Sequence, residues 1–162
     1  MIAARSILGG LSALLISAGL AVAGPGTAGH GHAKEAAYGK PGDPKKPARI
    51  IPISMKETDD GKMVYFPDRV EVQKGQQVKF VLKNNGKFDH EFVLDTVENN
   101  AKHKIAMQQN PDMEHDDPNA RRLAVSKGGE IVWQFTQPGE FEFACLIPGH
   151  YESGMKGTVV VK

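Results

Sequence analysis

From residue 48 onward the chain is a succession of short apolar runs separated by turn signals, a pattern that few folds accommodate. The runs at residues 78–82 and 131–135 are rich in β-branched and aromatic side chains. Turn sequences lie between such runs, as at residues 84–86 (Asn-Asn-Gly) and 138–139 (Pro-Gly). Several short strands at this spacing predict an all-β sandwich. Residues 48–162 are enough for one such domain with its own core.

Two segments depart from the regular pattern. Residues 49–54 form an apolar run that contains Pro52, and proline favours an edge strand because it has no N–H to donate. Residues 98–119 are polar and show no alternation. Within them we predict a short helix at residues 101–109, ended before Pro111, and then a loop. The sandwich should therefore carry a polar insert made of a loop and a short helix.

The N-terminus has the features of an export signal. Arg5 precedes an unbroken run of small and apolar residues, which ends in Ala21-Val22-Ala23 before Gly24. These features predict a signal peptide at residues 1–23 and a periplasmic protein. An uncleaved membrane anchor is the alternative, because the run is nearly long enough to span a bilayer. Residues 24–47, rich in Gly, Ala, Lys and Pro, predict a flexible linker before the domain at 48–162.

The charge balance excludes several kinds of partner. The whole chain carries a formal net charge of +1, and cleavage would remove one positive charge, Arg5, leaving 0. A protein without net charge has no general attraction for nucleic acid or anionic lipid. We therefore expect no nucleic acid partner and no stable membrane association after cleavage.

The only cysteine of the chain lies in an unusual loop. Cys145 is followed by His150 after four residues, and Met155 follows after four more. A thiolate, an imidazole and a thioether so close together suit copper better than most biological metals. One further histidine would complete a trigonal site with a weak axial methionine, and we expect it to be His90, which opens a strand. An exported protein with a single cysteine cannot form an internal disulfide, and metal binding explains the thiol.

Each ligand also has a simpler interpretation. Cys145 could be a buried thiol that packs as a small hydrophobic side chain. His150 and His90 could be surface histidines, and Met155 could fill the core. A catalytic pair of Cys145 and His150 is a further alternative, but it leaves His90 and Met155 unexplained. The spacing of the four residues within a β pattern favours copper.

Five segments carry a resemblance to a known family: Phe66-Pro67, residues 70–75 and 78–80, Asp89-His90-Glu91-Phe92 and the Cys145–Met155 loop. Together they resemble the cupredoxins, the small blue-copper family that includes plastocyanin and azurin. The resemblance extends over residues 48–162 and implies a Greek-key β-sandwich. It also implies that His90, Cys145 and His150 bind copper in a plane and that Met155 binds along the axis. Plastocyanin-like proteins have two residues between the cysteine and the loop histidine, whereas this chain has four.

The resemblance further implies how electrons would enter and leave. His150 would be the partly exposed ligand, and Ile147, Pro148 and Tyr151 would form part of an apolar patch on which redox partner proteins dock. We expect a monomeric one-electron carrier of the periplasm rather than an enzyme, because multicopper enzymes need further copper sites. A binuclear copper centre would need a second loop cysteine.

A copper-tolerance protein that binds or buffers periplasmic copper is the alternative function. Additional histidines and methionines favour it, since imidazole and thioether groups suit Cu(I). On the predicted helix, side chains four residues apart share a face. The same residues could equally be incidental members of a solvated loop and a linker. The candidates for this secondary copper binding are His103, Met107, Met113, His115, His30 and His32.

Overall fold

Two five-stranded sheets and one helix make up the part of the chain that the computed structural model describes, residues 36, 38–111, 113 and 117–162. The predicted signal peptide, His30, His32 and His115 lie outside these residues. No helix within the described residues is long and apolar enough to cross a membrane. The elements are β1 (Lys40–Pro41), β2 (Arg49–Glu57), β3 (Met63–Phe66), β4 (Arg69–Val72), β5 (Gln77–Asn84), β6 (His90–Asp95), α1 (Val97–Gln109), β7 (Ala120–Leu123), β8 (Gly128–Gln134), β9 (Gly139–Ala144) and β10 (Lys156–Val161).

The strands are arranged in an order that differs from their order in the chain. The first sheet has the order β1-β8-β5-β2-β3, and the second has the order β4-β10-β9-β6-β7. Within these sheets β2 pairs with β5 and β4 with β10 in parallel, and the remaining pairs are antiparallel. The predicted all-β sandwich with a short helix is thereby confirmed.

The core lies between the two sheets and follows from the alternation along the strands. Successive side chains of a strand point to opposite faces, so every second residue can be buried. In β5, Val78, Phe80 and Leu82 are buried in this way. Phe92 of β6 and Phe143 of β9 stack in the same core with their ring centroids 5.0 Å apart. Burial of these large side chains is the main stabilising contribution to the sandwich.

Helix α1 covers part of the outer face of the second sheet. It begins four residues before the predicted helix, because the Thr96 hydroxyl accepts a hydrogen bond from the Asn99 amide at 3.1 Å and caps the N-terminus. It ends at Gln109, before Pro111 as predicted. Beneath the helix is a second, smaller hydrophobic cluster, formed by Val93, Met107, Ala120, Ala144 and Leu146.

The prediction of an edge strand at Pro52 is wrong. Strand β2 lies between β5 and β3 in the first sheet. However, β3 pairs only with residues 54–57 of β2, so the backbone around Pro52 has a neighbouring strand on one side alone. The missing N–H of proline is tolerated there because no strand on the second side requires it.

The predicted linker extends too far toward the domain. Tyr38 is buried in the main core, and its ring stacks on Trp133 with the centroids 5.2 Å apart. The backbone oxygen of Tyr38 accepts a hydrogen bond from the Trp133 indole at 3.0 Å. Strand β1 then pairs with the edge of β8. The residues around Tyr38 are small or polar, so their composition resembles that of a linker. The segment nevertheless adds an edge strand to the first sheet.

Four loops meet at one end of the sandwich. They connect β2 with β3, β5 with β6, β7 with β8 and β9 with β10. The buried Asn84 links two of them, since its side-chain amide donates to the backbone oxygens of Phe88 and Leu123 at 2.8 and 2.9 Å. The first residue of β6, His90, pairs with Leu123 at this same end.

Candidate metal centre

Three potential metal ligands converge where these loops meet. The ligand atoms of His90, Cys145 and His150 all lie within 4.8 Å of one another. Nδ1 of His90 is 3.3 Å from Nδ1 of His150, which is 3.4 Å from the Cys145 sulfur. The structure therefore brings His90 to the same end of the sandwich as the Cys145–Met155 loop, which the sequence alone leaves open.

Cys145 follows directly after β9 and is fully buried. Its Sγ accepts a hydrogen bond from the Glu91 amide at 3.3 Å, and its own amide donates to the Met155 oxygen at 3.1 Å. Burial raises the pKa of the Cys145 thiol to about 12, although the amides of Glu91 and Ile147 partly offset this. A thiol in this environment needs a nearby cation to become a thiolate, and a bound metal ion supplies one.

His150 lies in a tight turn of the loop between β9 and β10. Its amide donates to the Ile147 oxygen at 3.0 Å, and Gly149 has a φ of 88°, which favours glycine. The ring is half-buried. Burial and the neighbouring His90 lower the pKa of His150. The imidazole is therefore held in the neutral form that a metal ligand requires.

Met155 is fully buried beside this loop. It belongs to the same hydrophobic core as Cys145. Its amide donates to the His150 oxygen at 3.1 Å, and its oxygen accepts from the Cys145 amide at 3.1 Å. Gly154, with a φ of 100°, makes the turn that precedes it. The backbone of the fourth predicted ligand is thus tied to two of the other three.

Two acidic residues of the site escaped the sequence analysis. Glu57, at the end of β2, contacts His90 with a carboxylate oxygen 2.8 Å from Nε2. Partial burial alone would raise the pKa of Glu57, but hydrogen bonds from the Lys87 amide and the His90 ring outweigh it and lower that pKa. Glu91 is fully buried, and burial raises its pKa to about 7.

The predicted docking residues have mixed environments. Pro148 is exposed, and Ile147 is half-buried. Tyr151 is held by polar contacts, since its hydroxyl donates to Glu142 at 3.1 Å and two lysine ammonium groups lie over its ring. The loops beside His150 contribute two further apolar side chains, Phe88 and Val125, which are 54% and 42% exposed.

Three of the predicted secondary copper ligands, His103, Met107 and Met113, lie within the described residues. Met107 is fully buried in the hydrophobic cluster beneath α1, and Met113 packs against that cluster. His103 is half-buried on the same helix. Secondary copper binding at these residues stays a prediction.

Comparison with known proteins places this arrangement in a family. Residues 53–162 match the model of copper binding proteins of the plastocyanin/azurin family. The chain is 47% identical over 133 residues to the copper-resistant cuproprotein CopI of Rubrivivax gelatinosus, covering 82% of this chain and 78% of the relative. It is 35% identical over 155 residues to CopI of Pseudomonas aeruginosa, covering 78% of this chain and 83% of the relative.

The fold agrees with a solved structure of the same kind. Reduced auracyanin from Roseiflexus castenholzii superposes with a TM-score of 0.59 at 23% identity, covering 72% of this chain and 99% of auracyanin. At this identity the likeness concerns the fold alone, and it shows a cupredoxin sandwich. The family match and the identity to the cuproproteins are the stronger findings, and they establish copper as the cofactor. The chain belongs to the plastocyanin/azurin family of copper-binding proteins.

Proposed function

We propose that His90, Cys145, His150 and Met155 bind one copper ion as a type 1 site, and that the protein serves copper tolerance in the periplasm. The observation that carries this proposal is the convergence of two histidine nitrogens and one cysteine sulfur within 4.8 Å. Two imidazoles, a thiolate and a thioether are the donor set of a blue-copper site. The hydrogen bond from the Glu91 amide to the Cys145 sulfur, and the backbone bonds of Met155 to Cys145 and His150, support metal binding by these side chains.

The protein groups around the site each have a definable task. Copper, when bound, supplies one-electron redox chemistry. Cys145 would act as a thiolate, stabilised by the Glu91 amide. His150 offers a neutral imidazole, and the backbone bonds between Met155 and both loop ligands limit movement of the loop. A fixed ligand arrangement requires little reorganisation when the charge of the metal changes.

The role in copper tolerance is supported by the named relatives. The proteins at 47% and 35% identity are both named copper-resistant cuproproteins. The predicted export signal would place this chain in the compartment where such a role is needed. The chain has one cysteine, so it lacks the second thiolate of a binuclear copper centre, and we propose binding and redox cycling of copper rather than catalysis.

A diffusible one-electron carrier is the second candidate, and one observation favours it. The half-buried ring of His150 is accompanied by exposed apolar side chains on adjoining loops, Phe88, Val125 and Pro148. We propose that a redox partner protein would dock on this face. A monomer would leave the face accessible.

Spectroscopy of the copper-loaded protein tests the site. We expect an intense visible charge-transfer band and a type 1 EPR signal, both lost in Cys145→Ser. Absence of the band from the wild-type protein would contradict the proposal.

Growth of a deletion strain tests the role in copper tolerance. The strain is grown in excess copper and at ordinary copper concentrations, alone and with the wild-type or the Cys145→Ser gene. A growth defect confined to excess copper indicates tolerance, whereas a defect at ordinary copper concentrations indicates electron transport. Normal growth of the deletion strain in excess copper would contradict the tolerance role.

A further inference from the structure

One carboxylate stands directly behind a predicted copper ligand. Glu57 ends β2, and its side chain is only 15% exposed. Its Oε1 lies 2.8 Å from Nε2 of the fully buried His90. The opposite ring nitrogen, Nδ1, faces His150. One nitrogen of His90 is thus directed to the carboxylate, and the other is directed into the ligand cluster.

Glu57 is itself held in place by the loop that precedes His90. Its second oxygen accepts a hydrogen bond from the Lys87 amide at 2.8 Å. The Asn85 amide donates to the Met55 oxygen at 2.8 Å, and the Asn85 side chain donates to the Ser54 hydroxyl at 2.8 Å. Three hydrogen bonds therefore join the end of β2 to the loop before β6, and Glu57 makes one of them.

Gly86 leaves the space in which this contact forms. A Cβ atom at Gly86 would lie 2.6 Å from the Glu57 carboxylate and 2.7 Å from Nε2 of His90. Real Cβ atoms do not approach so closely, so any other residue would displace one partner or the other. The absence of a side chain at this position lets the backbone close over the pair.

We propose that Glu57 is a positioning residue for the copper ligand His90, fixing its tautomer and the orientation of its ring. The inference rests on the proposed type 1 site. Nε2 carries the proton and donates it to the carboxylate, which leaves the Nδ1 lone pair for the metal. The negative charge of Glu57 stabilises Cu(II) more than Cu(I), because the interaction grows with the charge of the ion. Glu57 therefore lowers the reduction potential of the site.

A purely structural role for Glu57 makes a different prediction. Glu57→Gln keeps one oxygen that can accept from Nε2–H, but it removes the charge and places an NH2 group where the second oxygen accepts from the Lys87 amide. If the side chain merely held the loop, the loss of the Lys87 hydrogen bond would lower the free energy of unfolding, and the reduction potential would stay near the wild-type value. If the charge acts on the ligand, Glu57→Gln is sufficient to change the potential.

The test compares Glu57→Gln with Asp59→Asn in the full mature protein. Asp59 is an exposed carboxylate two residues later, and it is not a partner of His90. We expect Glu57→Gln to raise the reduction potential and to lower Cu(II) affinity by about 10- to 100-fold, with a smaller loss for Cu(I). We expect Asp59→Asn to leave both quantities near the wild-type values. Equal potentials and Cu(II) affinities for the two variants would overturn the proposal.

A second variant protects the test against loss of folding. Gly86→Ala inserts a methyl group between Glu57 and His90, and we expect it to change the potential in the same direction. Chemical denaturation of the metal-free variants checks that each is folded, and a folded Gly86→Ala with unchanged potential would contradict the inference. Failure of the type 1 site itself is distinguishable, because the wild-type protein would then show no charge-transfer band.

Discussion

The amide of Glu91 donates a hydrogen bond to the sulfur of Cys145 over 3.3 Å, across two neighbouring strands of the second sheet. A backbone donor aimed at a sulfur favours the thiolate. Burial nevertheless raises the pKa of this thiol to about 12, so the metal-free protein holds a protonated cysteine at neutral pH. The donor is thus in place before the charge that it stabilises has formed.

Copper loading should therefore release a proton from Cys145. At pH 7 we expect about one proton per copper ion, because the thiol is protonated before binding and must be a thiolate afterwards. Isothermal titration of Cu(II) in buffers of different ionisation enthalpy measures the number. Cys145→Ser is the control. Equal proton release by this variant and the wild type would show that the thiol is not the source.

Replacement of Tyr38 by alanine should destabilise the metal-free protein by about 3–5 kcal/mol, as for other buried aromatic residues. The substitution removes the stacking on Trp133 and the hydrogen bonds of the hydroxyl with Asp95 and Asn119, each at 3.2 Å. Urea denaturation measures the free energy of unfolding. The nearby exposed Lys40→Ala should change it little, and an equally small effect of Tyr38→Ala would contradict the placement of Tyr38 in the core.

The alkaline stability of the protein should also depend on Tyr38. Burial, and secondarily Asp95, raise the pKa of Tyr38 well above the ordinary value of 10. Above pH 10 the unfolded chain loses this proton while the folded protein retains it, so the free energy of unfolding falls as the pH rises. This contribution approaches about 1.4 kcal/mol per pH unit and is absent from Tyr38→Phe. The stability difference between wild type and Tyr38→Phe should hence decrease above pH 10; a constant difference would contradict the assignment.

The sequence predicts interactions that are local and misses those that join distant segments. Cys145, His150 and Met155 share one loop, so their spacing is visible in the chain. Glu57 is 33 residues from His90, and no periodicity marks a carboxylate that ends a strand as a partner of a histidine. Tyr38 is missed for a related reason, because its partner Trp133 is 95 residues away and its neighbours have the composition of a linker.

The position of β2 illustrates a different limit. Proline removes the backbone N–H donor of one residue only. Whether a strand lies inside a sheet or at its edge depends on the pairing of all its residues. Strand β3 pairs with only the last residues of β2, so Pro52 satisfies the local rule within an internal strand. The helix start was likewise misplaced, because the cap at Thr96 lies within a β-rich context that hides it.

Secondary copper binding can be tested without disturbing the core. We expect the mature protein to bind more than one copper ion, and the combined variant His103→Ala, Met107→Leu, Met113→Ala and His115→Ala to bind fewer. Leucine is chosen at position 107 because the methionine is buried, and truncation to alanine would cost about 2–5 kcal/mol of stability. Elemental analysis against protein concentration measures the stoichiometry. One copper ion per chain in both proteins would exclude this site.

The exposed Phe88 distinguishes the two candidate functions. It projects from the loop before His90 and is 54% exposed, so Phe88→Ser removes apolar surface without opening the core. If a redox partner docks around His150, this variant should slow electron exchange with a partner by about tenfold, the effect of roughly 1.4 kcal/mol of lost contact. Its copper affinity and visible spectrum should be unchanged.

Growth in excess copper completes the comparison with Phe88. Complementation of the deletion strain by Phe88→Ser should be as good as by the wild type if tolerance depends on copper binding alone. Ile105→Ser is the matched control, because this side chain is similarly exposed, at 57%, on helix α1. Loss of tolerance with Phe88→Ser but not with Ile105→Ser would show that tolerance itself requires a docked partner. Copper tolerance would then depend on electron transfer to that partner, and the two candidate functions would be parts of one process.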